Sequence, residues 1–522
     1  MANRPPAITF LGHAGLRVEF GDATLVCDPW MSRHGAFFAG WRQFPPNDHL
    51  DERLCFETDY LYISHDHQDH CDEALLHRFP RKDIPVLIAR FSDPSLRRTL
   101  DGLGFTQVIE LDDWAPTRLT PAVSAFVVKD PSGYKTDSML CLDGPGFRIL
   151  NTNDCNVPRA YLPRLAETPP DLQFSQFSGA IWHPNCYQYD SPTQQRLSAQ
   201  IRGQLLDKFV ELCNGTGSRH AIGFAGPPCF LQPNRFDLNF GANGIFHDQW
   251  DVLPELESRL SATPHLALPG DVLRLEENNN LSILRQREFD FTRKREALEA
   301  YRERRQAEIH AYWGALPEPS HDLVPTFRQQ LAKQLTANRH LTSRVGALVE
   351  FRLGRHQEHD SVLADLRSGV LKLLDAADEP PNYRITVAPP LAQCVASGSA
   401  RWEDLLASMH VDLWRDPDIY NWPLFALLRN GHSPESLSHI ERLLQAAESD
   451  PEMVELQDGD RKLRIQRYCP HAREDLSGCV PVSGLLTCPR HHWVFDLNDA
   501  GRCVSGGNVA LRVETPAASP PE

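Results

Sequence analysis

Two short loops near the C-terminus constrain this chain more than any other feature: Cys469-Pro-His471 and Cys488-Pro-Arg-His491. Each offers one soft thiolate and one imidazole, in the forms Cys-x-His and Cys-x-x-His. Ligands paired in this way suit a [2Fe–2S] cluster with two Cys on one iron and two His on the other. A tetrahedral zinc also accepts two Cys and two His. The finger arrangement, however, places its paired Cys first and its paired His later, whereas each loop here carries one of each. Trp493-Val-Phe495-Asp496 reads as a strand closing over the second loop. The expectation is a cluster held by Cys469, His471, Cys488 and His491, and the rest of the chain must explain why an electron carrier is attached to it.

A second concentration of ligand-type residues lies near the other end. Tyr60-Leu-Tyr-Ile63 reads as a short buried strand running into Ser64-His65-Asp66-His67-Gln68-Asp69-His70, of the form His-x-His-x-Asp-His. Neutral imidazoles and a carboxylate converging on one point make a transition-metal site. A polar, solvated loop is the plain alternative. Between and around these anchors, 522 residues suggest about three domains. The formal net charge of −16 argues against a general binder of nucleic acid or anionic membranes, because the long-range field repels both. No apolar run approaches the length that spans a bilayer, and Met1-Ala-Asn-Arg-Pro-Pro lacks the apolar core of a secretory signal. Thirteen scattered cysteines fit a reducing compartment better than a disulfide framework, so the expected location is the cytoplasm.

The His-rich loop resembles the signature of the metallo-β-lactamase fold, an αββα sandwich with metal at its mouth. The resemblance implies His65 and His67 at one metal position, Asp69 and His70 at a second, and a bridging carboxylate after a later strand. Phe147-Arg-Ile-Leu150 leads into Asn151-Thr-Asn-Asp154, which makes Asp154 the bridging candidate. His247 is the best match for the last His of the second position, with His183 and His220 as rivals. The third His of the first position has no counterpart in Ala125-Phe-Val-Val-Lys-Asp130, where Asp130 would substitute or the position would be weakened or empty. Such a loss favours iron with open positions. Two His and one carboxylate, as in His70 and His247 with Asp69 or Asp154, are diagnostic of non-haem Fe(II) oxygenases.

The cluster loops resemble Rieske domains of the soluble ferredoxin and oxygenase type. Respiratory Rieske proteins carry an extra Cys in each loop, and Glu474 and Arg490 stand at those spacings here. His492 occupies a place where this type often has Gly. Arg285 to Trp313 reads as a charged, solvated helical run. The segment around 325 to 435 resembles a small SCP2-type α/β module with at most a docking role: amphipathic Phe327 to Arg344, strands at Gly346–Arg352 and Tyr383–Ala388, and a helix from Trp402 capped by the polar residues of Ser397-Gly-Ser399. The expected domains are 1–285 (metal domain), 286–320 (charged helical linker), 321–450 (α/β), 451–515 (all-β Rieske) and 516–522 (disordered tail).

Metal-bound water and a Lewis acid suffice for hydrolysis, whereas oxygen activation needs electrons. A cluster on the same chain as an open metal site therefore implies delivery of electrons to that site. The combination resembles the CMP-N-acetylneuraminate hydroxylase family. Further matching stretches, spread over most of the chain, are Asn151-Thr-Asn-Asp154-Cys155, Phe224-Ala-Gly-Pro-Pro-Cys229-Phe230 and Trp414-Arg-Asp-Pro-Asp-Ile-Tyr-Asn421. The resemblance implies an iron-dependent monooxygenase using O2 and an external donor (a reductase, ferredoxin or cytochrome b5-like protein) on a small biosynthetic substrate, oxidised at carbon or nitrogen. CMP-N-acetylneuraminate is one candidate, and Arg159, Arg164 and Arg235 are then phosphate-contact candidates. The family's animal members carry the Rieske domain first, whereas here it comes last. One or two irons fit the ligand set. Two alternatives stay open: a zinc hydrolase with an accessory redox domain, and a non-catalytic electron carrier.

Overall fold

A computed structural model describes residues 5–131, 136–276, 280–355, 358–471, 473–506 and 509–514. The tail expected from 516 lies outside the described residues. In the N-terminal half two sheets face each other. The first has eight strands, ordered Leu281–Leu284, Val272–Leu275, Ala7–Gly12, Gly15–Phe20, Ala23–Cys27, Tyr60–Tyr62, Pro85–Ala89 and Gln107–Leu111. The second has seven, ordered Thr263–His265, His220–Phe224, Leu172–Gln176, Phe147–Asn153, Ser138–Gly144, Ser124–Lys129 and Thr117–Arg118. Alternating apolar residues fill the space between them. Ile8, Leu16, Leu25 and Leu87 from one sheet meet Val127, Leu140, Ile149 and Ile222 from the other, all at most 2% exposed. Burying such side chains contributes about 1.5–3 kcal/mol each, which makes the sandwich a stiff frame for the loops at its edge.

That edge gathers the ligand-bearing turns. Ala23–Cys27 and Tyr60–Tyr62 run parallel with Cys27 opposite Tyr62, so Asp28 and Ser64 leave the sheet side by side. Gly15–Phe20 is antiparallel to Ala23–Cys27, which brings the His13 hairpin to the same end. The hairpin requires Gly12, whose φ is +101° and where a Cβ would sit 2.2 Å from Gln43 Oε1.

The charged run becomes a helix over Lys294–Gly314, and it is not simply solvated. Leu298 and Tyr301 are buried against Phe44, Phe236 and Leu268, and Arg305 is buried with its guanidinium 2.7 Å from Asp48 and 2.7 Å from Glu308. The following α/β unit has a five-stranded sheet ordered Lys372–Leu374, Glu358–Asp365, Leu348–Arg355, Tyr383–Val387 and Val411–Arg415. The expected helix from Phe327 to Arg344 divides into Leu323–Leu335 and Arg339–Thr342, because Asn338 starts a new turn by accepting from Leu341 N at 2.9 Å. The helix Trp402–Ala407 is fixed by Arg401 N donating to Asp404 Oδ2 at 3.0 Å. Ser397 and Ser399 instead donate to Cys394 O at the end of the preceding helix.

The C-terminal β unit has two three-stranded sheets: Met453–Asp458, Arg461–Gln466 and Val513–Glu514 in one, Leu485–Thr487, Val494–Asp496 and Arg502–Cys503 in the other. The second Cys-His loop spans the hairpin between Leu485–Thr487 and Val494–Asp496. One hydrophobic core runs without a break from Trp182 and Phe230 of the sandwich through Phe351 and Phe425 to Ile465 and Phe495. Among the described residues no helix is long and apolar enough to cross a membrane.

Candidate metal centre and cluster site

At the sandwich edge two overlapping groups of ligand atoms form, His13–Asp69–His70 and His65–His70–Asp154, all buried, with the atoms of each group within 4.8 Å of one another. His70 belongs to both. Its Nδ1 donates to Asp28 Oδ2 at 3.0 Å, and Asp28 is held in turn by Ser64 N at 2.8 Å and Ser64 Oγ at 2.6 Å. That arrangement fixes the tautomer and leaves Nε2 directed at Asp69 Oδ2 (3.5 Å) and Asp154 Oδ1 (3.7 Å) without a hydrogen bond. A carboxylate behind a ligand imidazole is the usual support of a metal-binding His. His65 Nε2 lies 2.9 Å from His67 Nδ1, and its Nδ1 lies 3.4 Å from Asp137 and 3.9 Å from Asp154.

The residues fit a cation. Among the described residues, buried His70 Nε2, Asp69 Oδ1 and His13 Nδ1 have no hydrogen-bond partner, and a mixed imidazole–carboxylate set suits iron or zinc. The charge balance agrees. Burial alone would lower His70, yet Asp69, Asp154 and Asp28 outweigh it and push the imidazole up to about 10. In this carboxylate-rich pocket a metal ion would supply that positive charge. Burial, with His70 alongside, holds His65 well below the ordinary imidazole value, in the neutral form that binds metal.

Three of these contributors lie outside the His-rich motif. His13, Asp28 and Asp137 come from separate elements; the signals on offer were a His in a Gly-flanked hairpin and an Asp-Pro directly after a strand. His247 is in neither group. Its Nε2 lies 2.7 Å from Phe177 O and its ring packs on Phe177. The rivals are also elsewhere: His220 Nδ1 is 3.0 Å from His265 Nε2, and His183 packs on Tyr187. Asp130 does not reach the loop. It binds Arg490 of the C-terminal unit at 2.7 Å. Arg159, Arg164 and Arg235 engage Glu211, the Trp114 ring and Asp412.

The α/β unit does more than dock. Glu403 Oε1 lies 3.4 Å from His67 Nε2, and Arg429 Nη2 donates to the same oxygen at 2.7 Å. Arg401 Nη1 donates to Asp66 at 2.6 Å. Glu403 thus orients His67 as Asp28 orients His70. Glu403→Gln is expected to weaken metal affinity or turnover about 10–100-fold, the range for such supporting partners, as measured by metal titration. The Asp66–Arg401 pair has a pH signature. Burial by itself would raise the Asp66 carboxyl, but Arg401, then His67, hold it well below the usual carboxylate range. A depressed carboxyl contributes stability above its unfolded pKa of about 3.9 and loses it as pH falls through the folded value. Urea midpoints should therefore drop on acidification below about pH 4, and Arg401→Ala should flatten that drop.

In the C-terminal unit Cys469, His471 and Cys488 form a buried group. Cys469 Sγ is 2.7 Å from His471 Nδ1, and His471 Nε2 is 2.8 Å from half-buried His491 Nδ1. Two thiols and two imidazoles from two loops therefore converge, the donor set of the mixed cluster. Trp493 stacks on His471 at 3.8 Å between centroids. His492 has φ +56°, a left-handed conformation that explains why Gly is common at such a place. Where a respiratory-type disulfide would stand, Arg490 Nη1 and Glu474 Oε2 form an ion pair at 3.7 Å.

Residues 7–141 match the beta-lactamase superfamily domain and residues 444–513 match the Rieske [2Fe-2S] domain. The chain therefore joins a metallo-β-lactamase-like domain to a Rieske domain. Its relatives include Rieske 2Fe-2S iron-sulfur proteins of Mycolicibacterium smegmatis (28% identical, 97% of this chain and 99% of that one) and Mycobacterium tuberculosis H37Rv (29%, 98% and 100%). The cytidine monophosphate-N-acetylneuraminic acid hydroxylase of Mus musculus is 33% identical over 42% of this chain and 38% of its own, so that likeness covers less of the chain than the spread of matching stretches suggests. Among solved structures, the diiron β-hydroxylase CmlA from Streptomyces venezuelae aligns over 54% of each chain at 16% identity and TM-score 0.34.

Proposed function

We propose that this chain is a Rieske-coupled, iron-dependent monooxygenase. His65, His67, Asp69, His70 and Asp154, joined by His13, would hold one or two irons, and Cys469, His471, Cys488 and His491 would hold the [2Fe–2S] cluster. When bound, iron supplies the oxygen chemistry and the cluster supplies stored electrons. The overall reaction inserts one atom of O2 into a C–H or N–H bond of the substrate. The other atom leaves as water, taking two electrons from an external donor and two protons.

One observation carries the reading: Asp154 and the cluster loop share a wall. A narrow cavity is lined by Asp154 and Cys155 on one side and by Glu474, Pro489 and Arg490 on the other. A hydrolase gains nothing from placing a cluster loop there. A second narrow cavity is lined by His65 and His67 with Arg401, Asn430, His432 and Ser436. Substrate approaches through this polar cavity, while electrons arrive through the cluster loops. The substrate is a small polar biosynthetic molecule, and a sugar nucleotide of the kind processed by the hydroxylase relatives is the first to test. A reductase, ferredoxin or cytochrome b5-like protein is the donor. All thirteen cysteines are free of disulfides, which supports a reducing, cytoplasmic setting.

Metal analysis of anaerobically purified protein tests this reading. About two cluster irons per chain plus one or two more are expected, with O2 consumption that depends on added reductant. Active protein with zinc at the loop, turning over without reductant, would overturn it.

A further inference from the structure

Resting on that reading, we infer that Arg490 is a positioning residue that clamps both cluster loops onto the segment bearing Asp154. Its side chain is 4% exposed. Nη2 donates to Asp130 Oδ1 at 2.7 Å and to Asn156 O at 3.0 Å, and Nη1 faces Glu474 Oε2 at 3.7 Å. Glu474 in turn accepts from Arg159 N through Oε1 at 3.4 Å. Arg490 immediately precedes the cluster ligand His491, Glu474 belongs to the first cluster loop, and Asn156 stands two residues after Asp154. One guanidinium thus ties loop to loop, and both loops to the metal domain.

The fork geometry matters. A planar guanidinium reaches three acceptors in fixed directions, whereas an ammonium is a point charge on a flexible stem. The packing around the clamp is continuous: Tyr420 N donates to Ser505 O at 3.2 Å, and Trp422 lies 6.3 Å from Trp493. The α/β unit holds the Rieske domain from one side, and Arg490 sets its register against the metal domain on the other. In this register a reduced cluster held by Cys469, His471, Cys488 and His491 would lose one electron, and ferric iron held by the loop residues would gain it. No bond is made or broken, and the external one-electron donor restores the cluster.

The test uses the fully loaded protein and two variants, Arg490→Lys and Asp130→Asn. Asp130→Asn leaves the Glu474–Arg490 pair and all proposed ligands intact. The reduced-cluster electron paramagnetic resonance spectrum is expected to be unchanged in both variants. Hydrogen–deuterium exchange should rise in segments 152–158 and 485–495 together. The rate at which the loop iron reoxidises the pre-reduced cluster should fall severalfold, because electron tunnelling decays exponentially with the separation that the clamp sets. Unchanged exchange with an unchanged reoxidation rate overturns the clamp, and so does an altered cluster spectrum, which would place the effect in the cluster itself. If the parent protein shows no such reoxidation, the monooxygenase reading fails instead.

Discussion

His70→Ala is expected to empty the loop site of iron and lower reductant-dependent O2 consumption by more than about a hundredfold, since even losing a supporting partner of a ligand costs 10–100-fold. His70 stands in both ligand groups, so its removal weakens either position, whether one iron or two are bound. The truncation also strands Asp28, which is fully buried and now accepts from His70 and Ser64. Burial already raises the Asp28 carboxyl, and losing the imidazole that opposes this would raise it further. The cluster spectrum serves as the internal control. It should be that of the parent, because His70 belongs to the sandwich edge and the cluster ligands to a separate β unit. Iron analysis showing full loop occupancy in His70→Ala would contradict the assignment.

Arg490→Leu is expected to destabilise the folded protein by about 3–5 kcal/mol, the cost of removing one partner from a buried ion pair. Here the loss takes a cation from beside two buried carboxylates, Asp130 and Glu474. Asp130 and Glu474 are 5% and 3% exposed, so water does not readily replace the guanidinium. Burial already raises the Glu474 carboxyl with Arg490 opposing it, so the variant should raise it further. Adding Asp130→Asn to Arg490→Leu should recover part of the loss by removing one of the two carboxylate charges beside the lost guanidinium. Urea unfolding of the four proteins as a double-mutant cycle measures the coupling. An Arg490→Leu midpoint equal to the parent's would show that the buried pair contributes nothing to stability.

The amino-acid sequence by itself determined the pieces whose chemistry is local. Cys469 and His471, Cys488 and His491, and the run from His65 to His70 each lie within one turn of chain, where spacing alone brings donors together. The bridging candidate Asp154 was also within reach, because a strand and its exit turn are local features. Tertiary structure alone decided the rest. His13 and Asp28 meet His70 because parallel and antiparallel neighbours in one sheet end at one edge. Glu403 reaches His67 from a domain more than three hundred residues away. Asp130, read from sequence as a substitute metal ligand, is instead the anchor of Arg490. A side chain's partner across a sheet edge or a domain boundary is set by strand order and packing, and neither leaves a periodic trace in the residues themselves.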